Sequence, residues 1–394
     1  MATISKRGES YRIKTSCGYG VDGKQVVQSM TWKPEPGMTA NQIKKEVNRQ
    51  AVLFEEACLK GQVISTVKFE TFAEQWFEEY AKRNLRNTSF DRVTRLKDKV
   101  YAAIGHLRLD KITIRHIQKF VNTLSNTISE ATGKVYARKT VIHHLSFISC
   151  IFDYAVKMSM ISDNPCRKIT VPKGERKEKQ VYTLEETEQF LALLQSAPLQ
   201  YRVFFTLVIY SGFRLSEMLG LEWKDVCFTN RVINIRRTSN YTIDIGVYTD
   251  TTKTKKSMRS LKFPKFIMDM LKEYQDEQNS EKSRLGNKWE DSDRLFTRWN
   301  GEPMTNNIPY KWLKRFCEKH SFRFCDIHSF RHLNASLLIN AGIDVTSVSA
   351  ALGHAHTSTT LNIYSHYFQE AQARISNAVA NALDFSNKKE YAKI

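Results

Sequence analysis

Much of what would assign this chain to a common class is missing from it. Its 394 residues hold seven cysteines, an odd number, at positions 17, 58, 150, 166, 227, 317 and 325. None forms a CxxC pair or joins histidines at metal-ligand spacing, so neither a disulfide scaffold nor a zinc module is encoded. They read as reduced thiols of a cytoplasmic protein. Signal peptide, apolar run of membrane-spanning length, low-complexity segment and repeating period are all lacking, which argues against secreted, membrane, disordered and solenoid classes. Acidic residues are scarce too, with 41 Asp and Glu against 60 Lys and Arg. No acidic cluster of the two-metal nuclease kind stands out, so neither a metal nor a cofactor is expected.

What is present is positive charge, a formal net of +19. Excess charge alone can serve solubility, but here it is clustered. Residues 81–140 hold 14 Lys and Arg against 4 Asp and Glu. A cytosolic chain this basic is expected to meet a polyanion, and nucleic acid is the first candidate.

The length suffices for two or three domains. Residues 2–34 read as three short alternating strands, with the turn GYGVDGK between the last two. KPEPG breaks the chain, and Thr39-x-x-Gln42 opens a helix through about Leu59. After GQVIST a helical block begins. ETFAEQWFEEYAK carries the stripe Phe72, Trp76, Phe77 and Tyr80, and four or five helices fit between 68 and 160. Asn164-Pro165 is expected to end the last of them. VPKGERKEKQ reads as a linker, and Thr183-x-x-Glu186 caps the next helix. The fold class is therefore mainly α and multidomain. A small three-stranded sheet plus helix occupies 1–66 and a helical domain 67–170. A linker spans 171–182, and a mainly α domain with a small β-sheet (from RVINIRR, the flank before Thr252, and MRSLKFP) covers 183–394.

Six residues in this last domain carry the chemistry. Arg214 lies in SGFRLSE and Lys253 in TKTKKS. His328 and Arg331 lie in HSFRH, His354 closes LGH, and Tyr364 sits in TTLNIYSH. A tyrosine hydroxyl, with a reference pKa of about 10, is a poor nucleophile at neutral pH. Two guanidiniums can grip the non-bridging oxygens of a phosphodiester and offset the charge of its transition state. A lysine can protonate the leaving alkoxide, and histidines can share protons. Such a site can attack a phosphodiester without metal or nucleotide, forming a covalent phosphotyrosine that keeps the energy of the broken bond.

These motifs, in this order, resemble the tyrosine recombinases of the phage-integrase family, over roughly residues 176–368, and more narrowly the integrases of conjugative transposons. The resemblance implies a site-specific recombinase that works through a 3′-phosphotyrosine and a Holliday junction to excise and integrate a mobile element. Its partners would be double-stranded DNA (element ends and target site), three further copies in a homotetramer on that DNA, and a DNA-bending accessory protein. Tyr364 is implied as nucleophile and Lys253, the first lysine of T-K-T, as the proton donor to the leaving oxygen. Lys255 and Lys256 compete for that role, as His356 does for that of His354 and Tyr367 for that of Tyr364. Phe330 stands where the family often has leucine. Glu217 could orient Arg214 or simply pair with it, and Gly212 could let the backbone turn close to a phosphate. His332 reads as a buried structural histidine.

In the resemblance, the N-terminal unit binds arm DNA with Lys6, Arg7, Arg12, Lys14, Lys24 and Lys33 as its basic supply. The helical domain clamps the core site, with Arg83, Arg86, Arg92, Arg95 and Lys139 on its basic face. Phosphate contacts of this kind supply affinity without reading sequence. FQEAQARISNAVANALDF reads as an amphipathic helix, which either packs in cis as a terminal helix or, as the resemblance implies, docks on a neighbouring protomer. Three alternatives are weighed against this. A type IB topoisomerase would lack the arm unit and the trans helix, and a chromosome-type recombinase would lack residues 1–60. A non-catalytic DNA-binding regulator would have no use for a tyrosine and two arginines in this frame.

Overall fold

The computed structural model describes residues 2–19, 25–59, 67–130, 132–174, 181–251, 258–358 and 360–361. The chain divides into two units, Met1–Arg176 and Lys177–Ile394. The boundary falls inside the segment read as a linker.

The first unit opens with an antiparallel meander of β1 (Thr3–Arg7), β2 (Ser10–Tyr19) and β3 (Gln25–Trp32), paired in that order. Helix α1 (Ala40–Leu59) covers it, burying Val47, Ala51, Phe54 and Cys58 against Ile13. The capping box forms as the sequence dictates: the Thr39 amide donates to Gln42 Oε1 at 2.8 Å, and the Gln42 amide donates to Thr39 Oγ1 at 3.4 Å.

Four longer helices follow: α2 (Phe69–Trp76, continued by a π turn over Phe77–Ala81), α3 (Asn87–Val100), α4 (Ile114–Asn126) and α5 (Arg138–Lys157). The Phe72/Trp76/Phe77 stripe is core, packed with Phe147, Ile151 and Phe152. One boundary differs from expectation. Helix α5 stops at Lys157, where Ser159 takes a positive φ of 56°. Asn164 then starts a short 3-10 turn at Pro165–Lys168, its side chain accepting from the Cys166 amide and donating to Ser149 and Asp153. An Asn-Pro pair favours an extended residue before the proline, which suits an N-cap as well as a helix end.

The second unit begins with α6 (Leu184–Leu194), whose Thr183/Glu186 capping box closes at 2.8 and 3.2 Å. Helix α7 (Leu199–Ser211) is apolar almost all round and runs through the core, followed by the short α8 (Leu215–Leu219). The expected small sheet is two sheets. β4 (Val226–Cys227), β5 (Val232–Ile235) and β8 (Arg259–Lys262) form one, and β6 (Arg237–Thr242) with β7 (Gly246–Thr251) forms a separate hairpin. Helices α9 (Lys265–Leu285), α10 (Asn307–Lys319), α11 (Ile327–Asn340) and α12 (Val345–Leu352) complete the described part. Among the described residues no helix is long and apolar enough to cross a membrane.

Candidate active site

Four of the six motif residues lie in the described part of the second unit. Lys253 and Tyr364 lie outside the described residues, as do Lys24 and the segment read as the trans-docking helix.

Arg214 is placed by the turn between α7 and α8. Gly212 caps α7 in the left-handed region at φ 61°, and a Cβ there would stand 2.7 Å from Asn334 Oδ1 and 2.8 Å from a Leu352 methyl. Close packing against α11 and α12 thus requires the glycine, whatever it permits toward a phosphate. Arg214 then caps α8. Its amide donates to Glu217 Oε2 at 2.9 Å and its Nη1 to Glu217 Oε1 at 2.7 Å. Glu217 is 2% exposed, so it both pairs with Arg214 and orients it. Burial pushes the Glu217 carboxyl up, but Arg259 and Arg214 more than offset that and hold it below its ordinary value.

Arg331 sits on α11, which Asp326 caps by accepting from the Ser329 amide at 2.8 Å. It is 3% exposed. Its Nη1 donates to Gly212 O and its Nη2 to Leu352 O, both at 2.7 Å. Arg214 Nη2 donates to the next carbonyl, Gly353 O, at 3.1 Å. Both guanidiniums are therefore held on consecutive carbonyls at the C-terminal end of α12, where the helix leaves acceptors without intrahelical donors.

His354 follows that helix end. Gly353 turns left-handed at φ 65°, the His354 amide closes back on Ser349 O at 3.0 Å, and His354 Nδ1 lies 2.7 Å from Thr360 Oγ1. Its pKa is pushed down to about 4, first by burial and then by the charges of Arg331, Arg214, Arg259 and His328. His354 is therefore neutral at physiological pH and can exchange a hydrogen bond or a proton with an anion. His328 is exposed at the start of α11, its ring 4.8 Å from that of His332. His332 is buried, as expected, while His356 is exposed.

Arg259 belongs to no motif, yet it lies in this cluster. Its Nη2 donates to Glu217 Oε2 at 2.9 Å, and its Nε donates to Ala351 O at 2.6 Å. The signal that could have found it is strand alternation. Arg259 pairs with Ile235 and Leu261 pairs with Ile233, so a cation occupies an apolar register of β8. A second buried network lies nearby. Arg237 pairs with Asp225 and Glu222, and Arg294 donates to Gly220 O and Thr249 Oγ1, tying the β6–β7 hairpin to the end of α8.

In the first unit, Lys6, Arg7 and Lys14 are exposed on β1 and β2, while Arg12 is half-buried and donates to Ser29 Oγ at 3.2 Å. Arg7 and Arg12 line a groove of about 920 Å³ together with Arg108 and Lys111. Arg83, Arg86, Arg92, Arg95 and Lys139 are all exposed. Arg95 is engaged by Asp91, whereas Arg92 and Lys139 both bear on His143, so α3 and α5 share one basic face.

Residues 180–371 match the phage integrase family, and residues 68–125 match the SAM-like N-terminal domain of phage integrases. The ICEBs1 integrase of Bacillus subtilis is 27% identical over 275 residues, 70% of this chain and 72% of that protein. The integrase of Staphylococcus phage L54a is 27% identical over 326 residues, 77% of this chain and 90% of that protein. Among solved structures, the Tn1549 transposon integrase in complex with transposon right end DNA has a TM-score of 0.65 at 20% identity. That match covers 80% of this chain and all of the other. A lambda integrase dimer bound to a COC' core site has a TM-score of 0.54 at 14% identity, covering 91% of this chain and 93% of the other. At these identities the structures carry the fold.

Proposed function

The chain belongs to the phage integrase family of tyrosine recombinases, which catalyse DNA strand cleavage and rejoining, and on that premise we propose that it is the integrase of a mobile element, working through a 3′-phosphotyrosine at Tyr364. The observation that carries the reading is the pairing of Arg214 and Arg331 on the consecutive carbonyls Leu352 O and Gly353 O, beside a neutral His354. Two guanidiniums fixed on adjacent carbonyls suit a phosphodiester whose charge grows in the transition state.

In this mechanism the Tyr364 oxygen attacks the scissile phosphorus and the bond to the 5′ oxygen breaks. Lys253 gives that oxygen its proton, and a histidine, His328 or His354, takes or shares the tyrosyl proton. The 5′ hydroxyl of a partner duplex then attacks the phosphotyrosine, which restores the tyrosine. Two such rounds pass through a Holliday junction within a homotetramer. The mobile-element assignment draws on the relatives named for such elements. Exposed Arg83, Arg86, Arg92 and Lys139 suit a phosphate-tracking face, and Lys6, Arg7 and Lys14 suit arm-type DNA. A DNA-bending accessory protein fits a recombinase that engages separate arm and core sites.

The test is covalent trapping on a nicked duplex carrying the element's end, in EDTA. Wild-type protein should form the adduct. Tyr364→Phe should form none while binding one half-site nearly as well, because affinity comes from many phosphate contacts. An adduct that survives Tyr364→Phe and is lost in Tyr367→Phe refutes the assignment.

A further inference from the structure

Arg259 is the first residue of β8 and follows Lys253 by six positions. Its side chain is 8% exposed. Two of its donors are spent on Glu217 Oε2 and Ala351 O, and its guanidinium carbon lies 5.0 Å from the Phe213 ring centroid. It is thus turned inward. Each group it touches leads to a different part of the candidate site. Phe213 and Glu217 flank Arg214. Ala351 lies in the last turn of α12, whose final carbonyls receive Arg331 and Arg214 and whose cap precedes His354. Gly353 is shaped by the same side chain, since a Cβ there would stand 2.8 Å from Arg259 Nη1.

We propose that Arg259 is a positioning residue for strand cleavage, holding the Glu217 carboxylate and the Ala351 carbonyl so that Arg214 and the His354 turn meet one phosphate. The proposal rests on the reading of Arg214 and His354 given above. One guanidinium bridges α8 and the last turn of α12, and a planar fork can serve both acceptors at once where an ammonium serves one. Glu217 faces Arg214 from the start of its own helix and Arg259 from β8. His354 faces Arg331, Arg214, Arg259 and His328.

The experiment measures single-turnover adduct formation on the nicked duplex across pH 5.5–9, with half-site binding and thermal melting, for full-length wild type, Arg259→Met, Arg259→Lys and the double variant Glu217→Gln/Arg259→Met. Arg259→Met should slow adduct formation on the order of 100-fold, the effect of a misplacement of about 1 Å. Half-site affinity should stay within about threefold, since phosphate contacts elsewhere supply it. The loss should deepen as pH falls, because a buried Glu217 with one cation fewer takes up a proton more readily. Arg259→Lys should keep the wild-type pH dependence but recover only part of the rate, and the double variant, whose amide stands for a protonated Glu217, should match the low-pH rate of Arg259→Met at every pH. A rate deficit of Arg259→Met equal at every pH, or a double variant whose deficit still deepens as pH falls, would reduce Arg259 to structural support and overturn the proposal. Wild-type rates in Arg259→Met do the same. Failure of Arg259→Met to fold leaves the decision to Arg259→Lys, whose unaltered rate or altered pH dependence also overturns it. Absence of any adduct from wild type would instead sink the function reading.

Discussion

Glu217→Gln should destabilise the second unit far more than a surface charge change would. The carboxylate is 2% exposed and takes hydrogen bonds from Arg214 Nη1 at 2.7 Å, the Arg214 amide at 2.9 Å and Arg259 Nη2 at 2.9 Å. The substitution keeps the shape and removes the charge, leaving Arg259, 8% exposed, without its counterion. Breaking a buried pair by removing one partner costs about 3–5 kcal/mol. For a unit of this size each kcal/mol lowers the melting temperature by about 2–4 °C, so a fall of about 6–20 °C is expected. The carboxyl is held below its unfolded value of 4.5, so its contribution is complete above that pH and is lost as pH falls through the lower folded value. Calorimetric melting of wild type and variant, from pH 7 down to pH 4, reads both effects. The gap between the two proteins should be widest near neutrality and narrow in acid. A shift under about 3 °C at pH 7, equivalent to about 1 kcal/mol, would refute the reading of Glu217 as the counterion that holds two arginines.

Arg214→Lys should stay impaired in adduct formation by about 3 kcal/mol of activation energy, since a point charge cannot replace a fork; near-wild-type rates argue against phosphate contact. His354, held at about 4 in the free protein and 6.5 when unfolded, should destabilise the fold progressively as pH falls through that window. A bound phosphate should return its pKa toward normal, so DNA binding at pH 5.5 should take up a proton that His354→Gln does not. Binding enthalpies that do not vary with buffer ionisation enthalpy would exclude this. Gly212→Ala should cost about 1–2 kcal/mol for the left-handed backbone and about 1–3 more if Asn334 loses its bonds to Ile209 O and Tyr210 O. Urea denaturation checks it, and a neutral result would mean that α11 yields freely.

Local rules determined a good deal of this protein from sequence alone. The Thr39/Gln42 and Thr183/Glu186 boxes set two helix starts because a capping box involves residues three apart and needs no tertiary partner. The motif frame ordered the candidate residues, and clustered Lys and Arg pointed to a polyanion. The tertiary structure decided what depends on residues far apart in the chain. Asn164-Pro165 satisfies both a helix end and an N-cap, and only packing against Ser149 and Asp153 selected the second. The strand signals around 231–264 did not say that β6 and β7 would leave the β4–β5–β8 sheet as a hairpin held by Arg237 and Arg294. Arg259 was one cation among several in TKTKKSMRS until folding brought it to Glu217, 42 residues away, and Ala351, 92 residues away. The neutrality of His354 likewise arises from burial among arginines drawn from three separate elements. Charge and burial are properties of an environment, and an environment built from distant segments exists only once the chain has folded.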